Sequence, residues 1–339
     1  MKVLLEKIHS ENGINYLNVF LIVASSILAF IIPFHLFLFV YAFIGPLHYL
    51  TEISWLNERN FFITKKPDVL VLILIFVLIF LALFIPFAAN FITPLIVFSL
   101  LFTFIILTVN NVIIKYILAF VLLIISIKYL RDDVLMRKDF LLPIILFSIL
   151  LPTLIHVYVF TGIFLVGGAI KQKLLSGYIS VFVFIICSII FFILIPNNTD
   201  SVSSELKLMF DKFKMMNKTF MYIFGLENFS NPKDIWLQKD DAVYNSSMAY
   251  SVMRFIAFAY CYHYLNWFSK TSVIKWHQVS KKRIALITSL WIISVGLYLY
   301  DYSLGFYALF VLSMMHVLLE FPLNFLSIKN ILKSIKIQS

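Results

Sequence analysis

Only two cysteines, Cys187 and Cys261, occur in the chain, and only 13% of its residues are charged. Two thiols inside apolar stretches exclude a disulfide framework and a thiolate metal site. The scarcity of charge excludes an ordinary soluble domain, in which about 25% of residues are charged. Also missing are the His-Glu-x-x-His helix of metalloproteases, the Gly-x-Ser-x-Gly elbow of serine hydrolases and a Walker phosphate loop. The close-set histidine boxes of membrane desaturases and the aspartate-rich pair of membrane prenyltransferases do not occur either. No Gly/Ser or Pro linker divides the chain, so 1–339 reads as a single integral membrane domain.

What fills the sequence is hydrocarbon: 62% of residues are apolar and 37 are Phe. Apolar runs continue for about twenty residues, the length a helix needs to cross a bilayer, whereas barrel strands would alternate over about ten. A helix also satisfies its own backbone groups in lipid. The expected fold is therefore all-α, a polytopic transmembrane bundle of about ten helices, near 16–32, 34–56, 69–88, 91–109, 112–130, 140–170, 178–195, 246–268, 284–300 and 304–328. Pro33, Pro86 and Asn110-Asn111 punctuate the joins. The run at 140–170 exceeds one span and carries Pro143 and Pro152, which predicts a tilt, a kink or a break.

The formal charge of +10 fits positive-inside loops and anionic lipid headgroups, and carries no implication of nucleic acid. With both termini in the cytoplasm of a bacterial inner membrane, Lys65-Lys66, Lys171-Lys173, Lys281-Lys282-Arg283 and the Lys329-Lys333-Lys336 tail fall inside. The apolar run after the charged start 1–13 shows no cleavage site and reads as a retained first helix. One loop disagrees: Lys128, Arg131, Arg137 and Lys138 fall outside if there are ten helices, so either Asp132 and Asp133 soften the signal or the count near Asn110 is off by one.

Six Lys nearly balance seven Asp and Glu over 196–245, the pattern of an extramembrane loop on the outer face. Near 203–224, Leu206, Met209, Phe210, Phe213, Phe220 and Phe224 recur at helical spacing between lysines. This predicts one interfacial amphipathic helix, lying flat or capping the bundle, with a swinging lid as the other option.

Two pairs, His48 with Glu52 and His316 with Glu320, place an imidazole and a carboxylate four residues apart, hence on one helix face. An ionisable group at the bilayer centre costs roughly 2.5 kcal/mol or more, so such residues face the protein interior and mark function. With the topology above, His48, His156, His263 and His316 fall at similar depth on four helices. Imidazoles from separate helices converging in a bundle core suit a metal, iron or zinc. Glu52 and Glu320 would be direct ligands or orient the imidazoles through the other ring nitrogen. His35, just after Pro33, and His277, in a basic loop beside Trp276, read first as interfacial. Trp55, Trp267 and the many Tyr read as aromatic belts, and the Phe as lipid-facing or as walls of an apolar tunnel.

Gly45-Pro46-Leu47-His48 followed by Glu52, and His316 followed by apolar residues, resemble segments of the Brp/Blh family of bacterial and archaeal β-carotene dioxygenases. The likeness covers about twenty residues, and departs where the family's early His-Gly-Ala-x-Asp is here His48-Tyr-Leu-Thr-Glu52 and where its later clustered histidines are replaced by the wider spacing of His263 and His277. It implies iron and an isoprenoid or carotenoid substrate. The reading is thus a membrane oxygenase with iron (zinc as the alternative) on His48, His156, His263 and His316, acting on an apolar small molecule entering from the membrane lipids. The alternative is a proton-coupled transporter or flippase in which the His/Glu pairs relay protons; a third option is buried polar glue in an assembly protein.

Overall fold

A computed structural model describes residues 10–58, 66–131, 149–196, 202–226, 241–270 and 279–338. Among them all regular structure is helical. The helices are α1 (Glu11–Ile31), α2 (Pro33–Glu58), α3 (Lys66–Phe84), α4 (Ile92–Thr108, after a 3-10 turn Pro86–Phe91), α5 (Val112–Tyr129), α6 (Leu151–Gln172), α7 (Leu175–Ile193), α8 (Ser204–Phe210), α9 (Lys214–Ile223), α10 (Ser247–Ser269), α11 (Lys281–Tyr300) and α12 (Tyr302–Gln338). Many starts are written locally. The side chains of Ser10, Asn111, Ser203, Ser246 and Ser280 accept hydrogen bonds from first-turn amides, and Asp301 Oδ1 accepts from Leu304 N at 2.6 Å.

Nine helices among the described residues are long and apolar enough to cross a membrane. The tenth long helix, α10, has 23 residues but is too polar to qualify on composition, carrying Arg254, His263 and several Tyr. It can be polar because protein surrounds it: α1, α2, α6, α7 and α9 pack on it, and most of its side chains are buried. Expected lipid-facing character therefore does not apply to the helix at the centre of the bundle.

Contacts at the helix ends fix which ends lie together. Asn15 Nδ2 donates to Gln172 Oε1 at 2.8 Å, Arg283 pairs with Glu58, and Lys115 Nζ lies 2.6 Å from Asp68 Oδ2. At the opposite end Arg254 donates to Leu194 O, Tyr302 donates to Leu38 O, and the Arg131 guanidinium sits over Phe91. Helices therefore alternate in direction, and the Asn110-Asn111 turn separates two real helices, α4 and α5, so the count there stands. Lys128 and Arg131 consequently lie opposite Lys115. The remainder of that basic loop, and Pro143, lie outside the described residues.

The amphipathic segment caps the bundle instead of lying flat on it. Phe210, Phe213 and Phe220 are buried, and Phe213 packs edge-on against Phe37 and Phe306 at 4.9 and 5.1 Å. The expected stripe is only half right: Met209 and Phe224 are exposed, while Asn217 and Lys218 turn inward. Asp211 accepts from Lys214 at 2.7 Å, and that hydrogen bond holds its carboxyl below the usual range. The contact therefore favours the folded turn within the cap at neutral pH and loses that contribution as pH falls through the carboxylate range.

Two helices contain wide π turns, Val40–Ile44 in α2 and Leu151–Phe160 in α6. Pro152 sits at the first turn of the second, so the long run expected at 140–170 is neither broken nor interrupted there. Such turns rotate the following residues relative to a regular helix and recur at functional sites.

Candidate metal centre

The π turn of α6 contains His156, and that of α2 ends just before Gly45 and His48. Gly45 lets the tyrosines approach closely, since a Cβ there would stand 3.0 Å from the Tyr49 hydroxyl and 3.3 Å from that of Tyr264. Four helices thus deliver His48, His156, His263 and His316 to one point, where one ligand atom from each lies within 4.8 Å of the others. All four are at least nine-tenths buried. The four histidines therefore lie together in one buried group that could hold a metal ion.

The rings close into a cycle. Centroids of His48 and His263, His263 and His156, His156 and His316, and His316 and His48 are 4.8, 4.9, 4.9 and 5.3 Å apart, each pair edge to face. His48 Nε2 lies 3.1 Å from His263 Nε2, and His156 Nε2 lies 3.1 Å from His316 Nε2. Two such nitrogens attract each other only if one carries a proton and the other does not. A cation shared by all would satisfy every lone pair at once. Ligands about 2.1 Å from one ion stand about 3.4 Å apart in a tetrahedron, and about 3.0 or 4.2 Å apart in an octahedron. The two 3.1 Å pairs fall in the range that neighbouring ligands of one ion adopt.

Carboxylates flank the cycle. Glu52 Oε2 is 3.1 Å from His48 Nε2, and Glu320 Oε2 is 3.1 Å from His156 Nδ1, which joins α12 to α6 and was not the expected pairing with His316. The two carboxyl groups adjoin each other and Lys270. His48 Nδ1 is buried without a hydrogen-bond partner, and Glu52 Oε2 and His156 Nδ1 have the 3.1 Å ion-pair contacts just given but no well-directed hydrogen bond. Buried polar atoms are ordinarily fully paired, so incompletely satisfied atoms gathered at one point fit residues arranged for an ion. Four neutral imidazoles would add no charge, so two ionised carboxylates would offset that of a divalent ion, with Lys270 beside them. The donor set, imidazole with oxygen, suits iron, zinc or another borderline metal.

Two cavities reach the cluster from opposite ends. One of about 500 Å³ extends from His48, His263, Glu52 and Glu320 past Asn15, Lys171 and Gln172 to the end where Glu58 and Arg283 pair. The other, about 250 Å³, lies on the His156 and His316 side beneath the cap, walled mainly by Tyr, Phe, Met and Ile. The first is the more polar.

Several functional neighbours were not expected. Thr161 Oγ1 is 2.7 Å from His263 Nδ1 and fixes that ring. Tyr49 stacks on His316 at 4.4 Å. Trp267, read as an aromatic-belt residue, instead packs against His48 at 5.7 Å and donates to Thr51 Oγ1; Trp55 packs on Trp267 and lines the same cavity. His35 is exposed and takes no part in the cluster, and His277 lies outside the described residues. Phe is divided between lipid-facing positions such as Phe20 and Phe87 and core positions such as Phe37 and Phe258. Comparison of the chain with protein-family models, with curated proteins and with solved structures finds no match in any of the three. What stands on geometry alone is a polytopic membrane protein with a buried four-histidine cluster able to hold a metal.

Proposed function

We propose that this protein is a membrane-embedded, iron-dependent oxygenase of an apolar lipid or isoprenoid, with His48, His156, His263 and His316 as ligands. The observation that carries the reading is the four-imidazole cycle placed between an apolar cavity and a polar one. Zinc, ordinarily four-coordinate, would be filled by four histidines with no place for the water a hydrolase needs, whereas iron, which accepts more ligands, would have room for dioxygen beside them. Bound iron would supply activation of dioxygen. The chain's own groups do the rest: Glu320 orients His156, Thr161 orients His263, and Glu52 can hold or return a proton at the polar side. The apolar cavity seats the substrate and keeps water from the reacting face. The sequence resemblance to the Brp/Blh carotene dioxygenases favours a carotenoid or related isoprenoid, and the positive-inside pattern favours an inner membrane with both termini cytoplasmic.

A proton-coupled transporter or flippase is the second reading, favoured by one specific observation: the cavities approach the His/Glu cluster from both ends. One experiment separates the two. Protein in lipid nanodiscs, supplied with iron and a panel of isoprenoids including β-carotene, is expected to consume oxygen and yield oxygenated products by mass spectrometry. In proteoliposomes it is expected to move no protons across the membrane. Proton flux without oxygen-dependent product would replace the oxygenase with the transporter.

A further inference from the structure

The apolar cavity is not uniformly apolar: Thr93, Thr153 and, from the cap, Lys212 line it, as do hydroxyls near the histidines. Tyr41, Tyr260, Tyr264 and Ser313 line it together with His156 and His316. Tyr49, stacked on His316, joins three of them: its hydroxyl lies 2.8 Å from that of Tyr264 and also bonds Ser313 and Tyr41. Tyr260 differs from these. It is 4% exposed, and its hydroxyl points at Met216 Sδ at 3.7 Å. A thioether is a weak acceptor, so a buried phenol facing one is a hydrogen-bond donor poorly used.

Binding pockets for small molecules are mostly apolar walls with a few convergent polar groups that fix orientation. Here the walls are mostly Phe, Met and Ile, and beside the histidines, with Lys212 on the cap, the polar groups are hydroxyls that can donate to an oxygen. We infer that this cavity binds an apolar, isoprenoid-like molecule bearing a hydroxyl or carbonyl oxygen, held by Tyr260 with the Tyr264–Ser313 hydroxyl cluster beside His156 and His316. The inference rests on the oxygenase reading for its setting and narrows the substrate class within it, away from pure hydrocarbons. The physical reason is the asymmetry of buried hydrogen bonds. A ligand oxygen gives the Tyr260 donor a strong acceptor, whereas a hydrocarbon of the same shape leaves it on sulfur, and sites built to hydrogen-bond a substrate discriminate against analogues lacking that group.

Farnesol and farnesene share one isoprenoid skeleton and differ in the oxygen. Protein as purified, with its metal content measured in the same sample, is placed in nanodiscs at equal mole fraction of either probe, without oxygen so that no turnover occurs. Bound probe per chain is then read by native mass spectrometry. Farnesol is expected to bind at least tenfold more than farnesene. Tyr260→Phe, which keeps the ring, is expected to remove most of that preference by weakening farnesol alone, and Ser313→Ala to reduce it less. Equal binding of the two probes, binding of neither, or a preference unchanged in both variants would overturn the inference. Should Tyr260→Phe not fold, the wild-type preference and Ser313→Ala decide it. Because binding is read without turnover, a sample lacking metal would count against the oxygenase reading while leaving the probe preference legible.

Discussion

His156→Ala and His263→Ala are each expected to abolish oxygen-dependent product formation, and the double variant to be no worse than either alone. The single losses should reach about a thousandfold, because residues that hold one ion act as a unit and their removal is far from additive. The two lie on different helices and on different sides of the cluster, His156 toward the apolar cavity and His263 toward the polar one. Losses that multiplied in the double variant would mean that the two rings act independently, as members of separate proton or packing networks. Glu320→Gln is milder on this account. It keeps the shape beside His156 while removing charge, so a loss of about 10- to 100-fold is expected, as for other groups that orient a ligand. Initial rates in nanodiscs at saturating oxygen measure all of these.

The second large effect lies away from the centre. Asp68 at the start of α3 and Lys115 at the start of α5 are almost completely buried, and Tyr116 donates to the remaining Asp68 oxygen at 2.6 Å. Removing one member of such a pair strands a charge in a low-dielectric site, typically at a cost of about 3–5 kcal/mol, whereas replacing both by apolar groups of similar volume is often near neutral. Lys115→Met is therefore expected to lower the thermal unfolding midpoint in nanodiscs sharply, and Asp68→Leu with Lys115→Met to recover much of the loss. Helices α3, α4 and α5 pack mainly on one another and on α12, so metal content should survive at temperatures where the variant is folded. A Lys115→Met protein as stable as the parent would show that the pair does not hold these helices together.

Much of the centre is legible in the sequence, and the reasons are physical. A four-residue spacing guarantees that His48 and Glu52 share a face, and ten alternating helices bring His156, His263 and His316 to similar depth. Periodicity says which face a residue occupies and is silent about what stands opposite. Hence the spacing pairs Glu320 with His316 on its own helix, while its carboxylate approaches His156 on α6. The tyrosines show the same limit. Tyr49, Tyr260 and Tyr264 have the composition of an interfacial belt, yet all three are buried, Tyr260 and Tyr264 in the wall of the apolar cavity beside the histidines and Tyr49 against His316. Helix α10 is a further case. Hydropathy is a statement about lipid contact, and a helix enclosed by other helices can carry Arg254, His263 and Asn266 without paying for their exposure to hydrocarbon. The π turns left no mark beyond Pro152, because a wide turn depends on how the helix is packed as much as on its residues.

The most direct test of the account is metal content. Protein expressed with iron and zinc supplied, purified in mild detergent and analysed for elements, is expected to hold about one iron per chain, with His48→Ala and His316→Ala folded and nearly metal-free. Folded wild-type protein without stoichiometric metal, or variants that keep it, would contradict a four-histidine metal centre and return the cluster to proton relay or packing.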